Sequence, residues 1–252
     1  MKLRNLILLG LTTFSATALW NIPAAFVYQY VPANNKVQVN GLSGTLWNGT
    51  ATEIVTKKMT LTNISWSIDV LKSLTSLSIK STIEIQDPDL TFKGLVGVSP
   101  SQTLSLEGAQ FETSGAFVSK LQKLAKLSGD IKGSIQHFEL AKGELPVLEA
   151  SYHWKQGELL SPMRIRPAGD YAIIVTPSNK GLTAKISSNQ APLILSGDAS
   201  IAMDWKYTTN IKVKAASSAS KGIMNLLKLS LGRLEKDGSA IIKQQGQLAP
   251  FY

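Results

Sequence analysis

The sequence contains no cysteine, only two histidines, and charged side chains at just 17% of its 252 residues. Without cysteine there is no disulfide framework, no thiolate zinc site and no thiol nucleophile. His137 and His153 stand alone, with no regularly spaced partner ligands, so a histidine metal centre is not expected. No nucleophile elbow, phosphate-binding loop or dinucleotide fingerprint occurs anywhere in the chain. Asp87 and Asp89 flank Pro88, which reads as a turn rather than an acid–base pair. Asn48-Gly49-Thr50 and Asn63-Ile64-Ser65 match the glycosylation sequon formally, and read as a turn and a strand start. No catalytic residue, cofactor or metal is therefore expected, and an enzyme is the least favoured class.

Acidic residues are also in the minority, 17 against 26 basic ones, for a net charge of +9. The lysines are spread along the chain, and no basic-and-aromatic cluster of the kind a nucleic-acid groove needs is present. Nucleic acid is not an expected partner. A hydrophobic content of 44% over this length supports a folded body with a real core.

One long stretch lacks charge altogether. After Lys2 and Arg4, residues 6–27 carry no ionisable side chain. About 20 such residues suffice for a helix to cross the hydrocarbon layer. Trp20, Tyr28 and Tyr30 lie where interfacial aromatics sit, and Pro32 marks an exit. The division expected is a cytoplasmic N-terminus at 1–5 and a transmembrane anchor at 6–28. The alternative is a signal peptide cleaved after Ala18, at the small-x-small pattern Ala16-Thr17-Ala18. Apolar character continuing to Val31 favours the anchor, and cleavage stays open. Either way the positive flank keeps the N-terminus inside and places the body outside the inner membrane, in the periplasm of a diderm bacterium.

Past Val37 the dominant period is two. "SLSIKSTIEIQD" puts Leu77, Ile79, Ile83 and Ile85 on one face; "LEASYHWK" does so with Leu148, Ala150, Tyr152 and Trp154. "ASIAMDWKY" reads the same way, with Ile201, Met203, Trp205 and Tyr207 aligned. These are half-buried antiparallel strands. Turns are expected at Asn48-Gly49, Asp87-Pro88, Gly143, Gln156-Gly157, Asn179-Lys180-Gly181 and Asp237-Gly238. Two segments switch to helical spacing. Residues 117–127 align Phe117, Val118, Leu121 and Leu124; residues 220–236 align Ile223, Leu226, Leu227, Leu231 and Leu234 behind a Ser220 cap.

The expected fold is mainly β: an N-terminal transmembrane helix, then a curved antiparallel sheet with two short amphipathic helices. "LSG" recurs at Leu42, Leu127 and Leu195, and each helix is followed by a glycine turn and a strand. An internal duplication into β-rich halves at 37–127 and 128–252 accounts for this.

The stretch "VNGLSGTLWNGTA" followed by "LTNISWSIDVLK", behind a span ending "PAAFVYQYVP", resembles the protein N family of the type II (general) secretion system. "LSGDIKGSI" and "LKLSLGRLEKDGSAIIKQQGQL" continue the resemblance toward the C-terminus. It implies a single-pass inner-membrane protein with a periplasmic body. Such a protein is an accessory, non-catalytic component of the machinery that exports folded proteins across the outer membrane. Other secretion-system proteins and inner-membrane lipid are the implied partners. The resemblance also carries a distant link to AsmA-like envelope proteins. The alternative function is accordingly a periplasmic lipid- or hydrophobic-ligand-handling module, its sheet lined by Leu77, Ile79, Ile83, Ile85 and Trp154. A cysteine pair expected of the family in the later half is missing here. The structural or partner-contact candidates are Trp47, Trp66, Trp154 and Trp205. Packing is the leading role for Trp47 and Trp66, since a large ring flanked by glycines buries area at low conformational cost.

Overall fold

The structure is a computed structural model, described here for residues 3–30, 37–121, 125–161, 165–217, 219, 221–231 and 234–249. It begins with α1 (Leu3–Trp20), a break, and the short α2 (Ala24–Tyr28). The expected single helix over 6–28 is thus divided. Pro23 has no N–H to continue the ladder. The chain there pairs with the sheet body instead, Leu46 N donating to Ile22 O at 2.9 Å and Pro23 bridging Thr45. Among the described residues no helix is long and apolar enough to cross a membrane.

The body opens with β1 (Val37–Asn40), β2 (Ser43–Gly44), β3 (Asn48–Thr56) and β4 (Thr60–Ile68). A two-turn helix, α3 (Val70–Ser76), leads to β5 (Ile79–Gln86), β6 (Leu90–Val98) and β7 (Leu104–Ser114). Then come α4 (Gly115–Leu121), β8 (Lys126–Leu140), β9 (Val147–Ser161), β10 (Ile165–Ser178) and β11 (Gly181–Asn189). The chain closes with β12 (Leu193–Ala202), β13 (Lys206–Ala215), α5 (Lys221–Leu231) and β14 (Ser239–Gln247).

All the strands form one 14-stranded antiparallel sheet in chain order, with only the short β2 off the path, and the sheet does not close. Outside a few bulges the strands alternate as the sequence predicts, so one face collects apolar side chains and the other carries Lys, Glu, Ser and Thr. On the polar face, cross-strand ion pairs join Lys80 to Glu107 at 2.9 Å, Lys93 to Glu84 at 3.3 Å and Lys132 to Glu112 at 2.7 Å. Phe117, from the helix between β7 and β8, belongs to one buried cluster with Ala51, Leu61 and Ile64 of β3 and β4. A side chain reaching across that many strands requires the sheet to curl toward its apolar face. At the far end Ile223 and Leu227 of α5 pack on Leu193, Val213 and Ala215. Leu124, Ser220, Leu226 and Leu231, expected in these helices, are outside the side chains described.

Several local expectations are corrected. The turn near Asn48-Gly49 lies one step earlier, at residues 45–48, where Asn48 N donates to Thr45 Oγ1 at 3.1 Å; Gly49 is already in β3. Gln156-Gly157 is a bulge inside β9 rather than a turn, with Gln156 at φ +49. The strand expected through 199–207 is a hairpin. Trp205 turns at φ +65 with its N–H on Ala202 O at 2.8 Å, and Asp204 receives the amide of Lys206 at 3.2 Å. Leu77 is not in β5: it ends α3 in the left-handed region and is 79% exposed. The first helix ends at Leu121, because Lys126 and Leu127 already pair with β9.

Asp87 does hold the expected turn. Its carboxylate accepts from Thr62 N at 2.9 Å, Thr62 Oγ1 at 2.8 Å and Asp89 N at 2.8 Å. Burial alone pushes this carboxyl up, but these donors outweigh it and hold it below the usual carboxylate range. A depressed folded value contributes stability that is complete at neutral pH and is lost as pH falls through it. Asp87→Asn is expected to cost about 1–3 kcal/mol in a urea titration at pH 7, as a buried acceptor network loses its charge. The gap between wild type and variant narrows below about pH 4, where the wild-type carboxylate protonates too. A gap that stays constant down to pH 2 contradicts this account.

Candidate functional site

The four candidate tryptophans do different things. Trp47 stacks on Trp20 at the end of α1, with centroids 6.0 Å apart, and donates Nε1 to Leu19 O at 2.9 Å. It fastens the N-terminal helix to the first hairpin. Trp66 lies over Gly49 and donates Nε1 to Leu46 O at 3.0 Å. A Cβ at Gly49 would come within 2.2 Å of that ring, so only glycine admits it. The glycine-rich surround of Trp47 therefore serves two rings, one holding the helix and one holding the hairpin. Trp154 donates Nε1 to Ser128 O at 2.8 Å and leans on Tyr171, with centroids 5.3 Å apart. Trp205 is buried with Leu145 and Leu182 at the opposite end of the strands from α5. The structure does not bring the four together.

Trp47→Ala is expected to loosen the junction without unfolding the sheet. The Leu46 amide, bonded to Ile22 O, then exchanges with solvent about tenfold faster while protection in β9 and β10 is unchanged. Equal acceleration in β9 contradicts the local role.

The apolar face of the sheet is what joins the strands into one surface. Residues paired in register share a face. From β3 to β14 one row reads Ala51, Ile64, Ile85, Phe92, Phe111, Gly133, Tyr152, Ile173, Ile186, Gly197, Ile211 and Ile242. No member is charged. The phenol of Tyr152 carries the row's sole side-chain polar atom. At one glycine the neighbouring ring fills the space: a Cβ on Gly133 would lie 2.2 Å from Phe111. Beside this row, Ile83, Gly94, Ala109, Ile135, Ala150, Val175, Ala184 and Ala199 form a second strip on the same face. Ile79, Ile83, Ile85 and Trp154 do share the face, as expected, while Leu77 does not. Burial on this surface pushes the phenols of Tyr152 and Tyr171 above their usual value.

The strip is walled at one end of the strands by α4 and α5 and at the other by Leu145, Leu182 and Trp205. Its middle is left uncovered, with Ile173 36% exposed. At the N-terminal end α2 roofs it. There Ala24, Val27 and Tyr28 face Ile64, Trp66 and Ile83 across an open cavity of about 420 Å³. The role of α2 as a roof was not legible, because residues 24–28 read as the end of a continuous membrane helix.

Among the described residues the polar face carries no cluster of metal-ligating side chains. His153 is exposed, and His137 lies 3.8 Å from Glu139 on the surface. Among the described residues no three His, Asp or Glu converge as a metal site.

The body is an open antiparallel meander, fastened to an apolar N-terminal helix and presenting an apolar face. The model of the type II secretion system (T2SS) protein N family matches residues 35–242, nearly the whole sheet. The chain belongs to that family. It is also similar to the type II secretion system protein N of Vibrio cholerae serotype O1, at 23% identity over 96% of this chain and 97% of that protein. No solved structure matches it.

Proposed function

We propose that the chain is a non-catalytic component of the type II secretion system, with α1 in the inner membrane, its N-terminus in the cytoplasm and the sheet in the periplasm. The observation that carries this reading is the family match across residues 35–242. The uncharged residues 6–27 support the anchor. Trp20 ends α1 where an interfacial aromatic would sit. In this reading the sheet works against other proteins of the same system. The two outer strands β1 and β14 suit it to pairing with a partner's strand.

The absence of cysteine makes the test clean. A single Lys142→Cys in the exposed β8–β9 turn reacts with a membrane-impermeant maleimide in intact spheroplasts, while cytoplasmic markers do not. Deleting the gene lowers export of folded substrates, and the chain carrying Lys142→Cys restores it. Labelling only after lysis removes the periplasmic placement, and undiminished export in the deletion strain removes the secretion role.

A further inference from the structure

Helix α3 is built inside out. Ser73 is the residue it turns toward the sheet, where its Oγ donates to Asp69 O at 2.6 Å and accepts the Lys80 amide at 2.9 Å. Leu71, Leu74 and Leu77 point outward, 77%, 69% and 79% exposed, and Ile79 extends the patch at the start of β5. Leu77 also holds φ +49, a left-handed conformation that strains a branched side chain, and water gives its apolar surface nothing in return. We propose that α3 is a second membrane contact, its leucines entering the periplasmic leaflet of the bilayer beside α1, so that the sheet is held at two points rather than one. The proposal rests on the membrane placement of α1 given above.

Three features select a bilayer surface over a protein partner. The first is place. Trp47 stacks on Trp20 and bonds Leu19 O, and its own carbonyl accepts the Ile68 amide at 2.6 Å. Val70 opens α3 only two residues later, at most roughly 7 Å along the chain. Helix α3 therefore leaves the sheet at the level where α1 ends, which the membrane reading makes the lipid surface. The turn at the other end of β3 and β4 carries the exposed Lys57 and Lys58 instead. The second is hydrogen bonding. Thr75 Oγ1 donates to Leu71 O at 3.0 Å and Ser76 Oγ to Lys72 O at 2.6 Å. With Ser73, every side-chain hydroxyl of α3 is satisfied within the chain, so the helix enters a medium without hydrogen-bonding groups at little polar cost. The third is composition. The outward side chains are leucines beside Lys72, whose stem lies along apolar surface while its amine reaches headgroup phosphate. The patch carries none of the Trp, Tyr or Arg side chains that anchor protein interfaces.

The test uses the full chain, which has no cysteine of its own, reconstituted in vesicles of phosphatidylethanolamine and phosphatidylglycerol. Leu74→Cys on α3, Phe14→Cys on α1 and Lys58→Cys in the far turn each carry a fluorophore. Quenching is read from nitroxide-bearing lipids and from aqueous iodide. Lipid quenching at 14 and 74, with iodide quenching at 58, is the expected result. A nitroxide near the headgroup acts more strongly at 74 than one deep in the acyl chain, and the order reverses at 14. Adding Leu71→Asp and Leu77→Asp to the position-74 protein lowers its lipid quenching about tenfold, because the burial of two leucines is lost. The same pair leaves quenching at 14 and the melting transition unchanged.

Iodide quenching at 74 together with lipid quenching at 14 leaves the anchor standing and removes the second contact. A label at 74 shielded from both quenchers is buried against another copy of the chain, which overturns the bilayer as its occupant. Lipid quenching at 74 that survives the two aspartates also overturns the proposal, since the leucines then do not hold the helix there. Iodide quenching at 14 removes the membrane placement of α1, and the contact beside it falls with it.

Discussion

Trp154→Ala is expected to destabilise the sheet by about 3–5 kcal/mol, the usual cost of emptying a large aromatic site. The ring lies against Gly157, leans on Tyr171 and bonds Ser128 O, tying β8, β9 and β10 together where β9 bulges. Trp154→Phe separates the contributions. It keeps most of the packing and removes the Nε1 donor, for a loss nearer 1 kcal/mol. Guanidinium titrations of the three proteins measure both. A loss below roughly 1 kcal/mol for the alanine variant shows that the ring contributes little there.

Trp66→Ala has a comparable expected cost, about 3–5 kcal/mol, but a different distribution. Its ring fills the space above Gly49, lines the cavity under α2 and bonds Leu46 O, in the hairpin that also receives the N-terminal helix. The variant loses the β3–β4 hairpin and the α2 contact first. Hydrogen exchange then rises in β3 and β4 at denaturant concentrations where β11 to β13 are still protected. Uniform loss across all strands contradicts this and makes the sheet a single cooperative unit.

The strands were legible because a half-buried antiparallel strand must alternate, and residues 79–86 and 147–155 do so plainly. The turns at Asp87-Pro88, Gly143, Asn179-Lys180-Gly181 and Asp237-Gly238 carried their usual residues and stand where expected. The hairpin at Trp205 did not announce itself. Met203 and Trp205 fit the apolar parity of a strand, and a bulky residue at positive φ leaves no compositional mark. Helix α3 was missed because two turns hold too few residues for a period; its signal was Asp69, whose side chain accepts the Lys72 amide at 3.0 Å.

The continuity of the apolar face was hidden for a different reason. Leu61 and Ile64 are three apart yet both buried on one side, because Asn63 between them sits at φ +52. Leu106 and Ala109 repeat the device across Gly108 at φ +58. A reader counting in twos loses the face at each such residue. The roles of the tryptophans were half legible: packing was expected at Trp47 and Trp66, whereas the attachment of Trp47 to Leu19 needed coordinates.

The strand order has a consequence for how the molecule is made. From β4 onward each strand pairs only with its neighbours along the path, so no hairpin waits for a distant segment before it can form. Large sheets are usually slow to assemble because remote strands must find each other and long loops must close first. Here a chain emerging N-terminus first always presents its newest strand to a partner already in place. The growing end is then a single unpaired edge that moves along with synthesis, and the exposure to wrong pairing that burdens large β proteins is limited to one strand at a time.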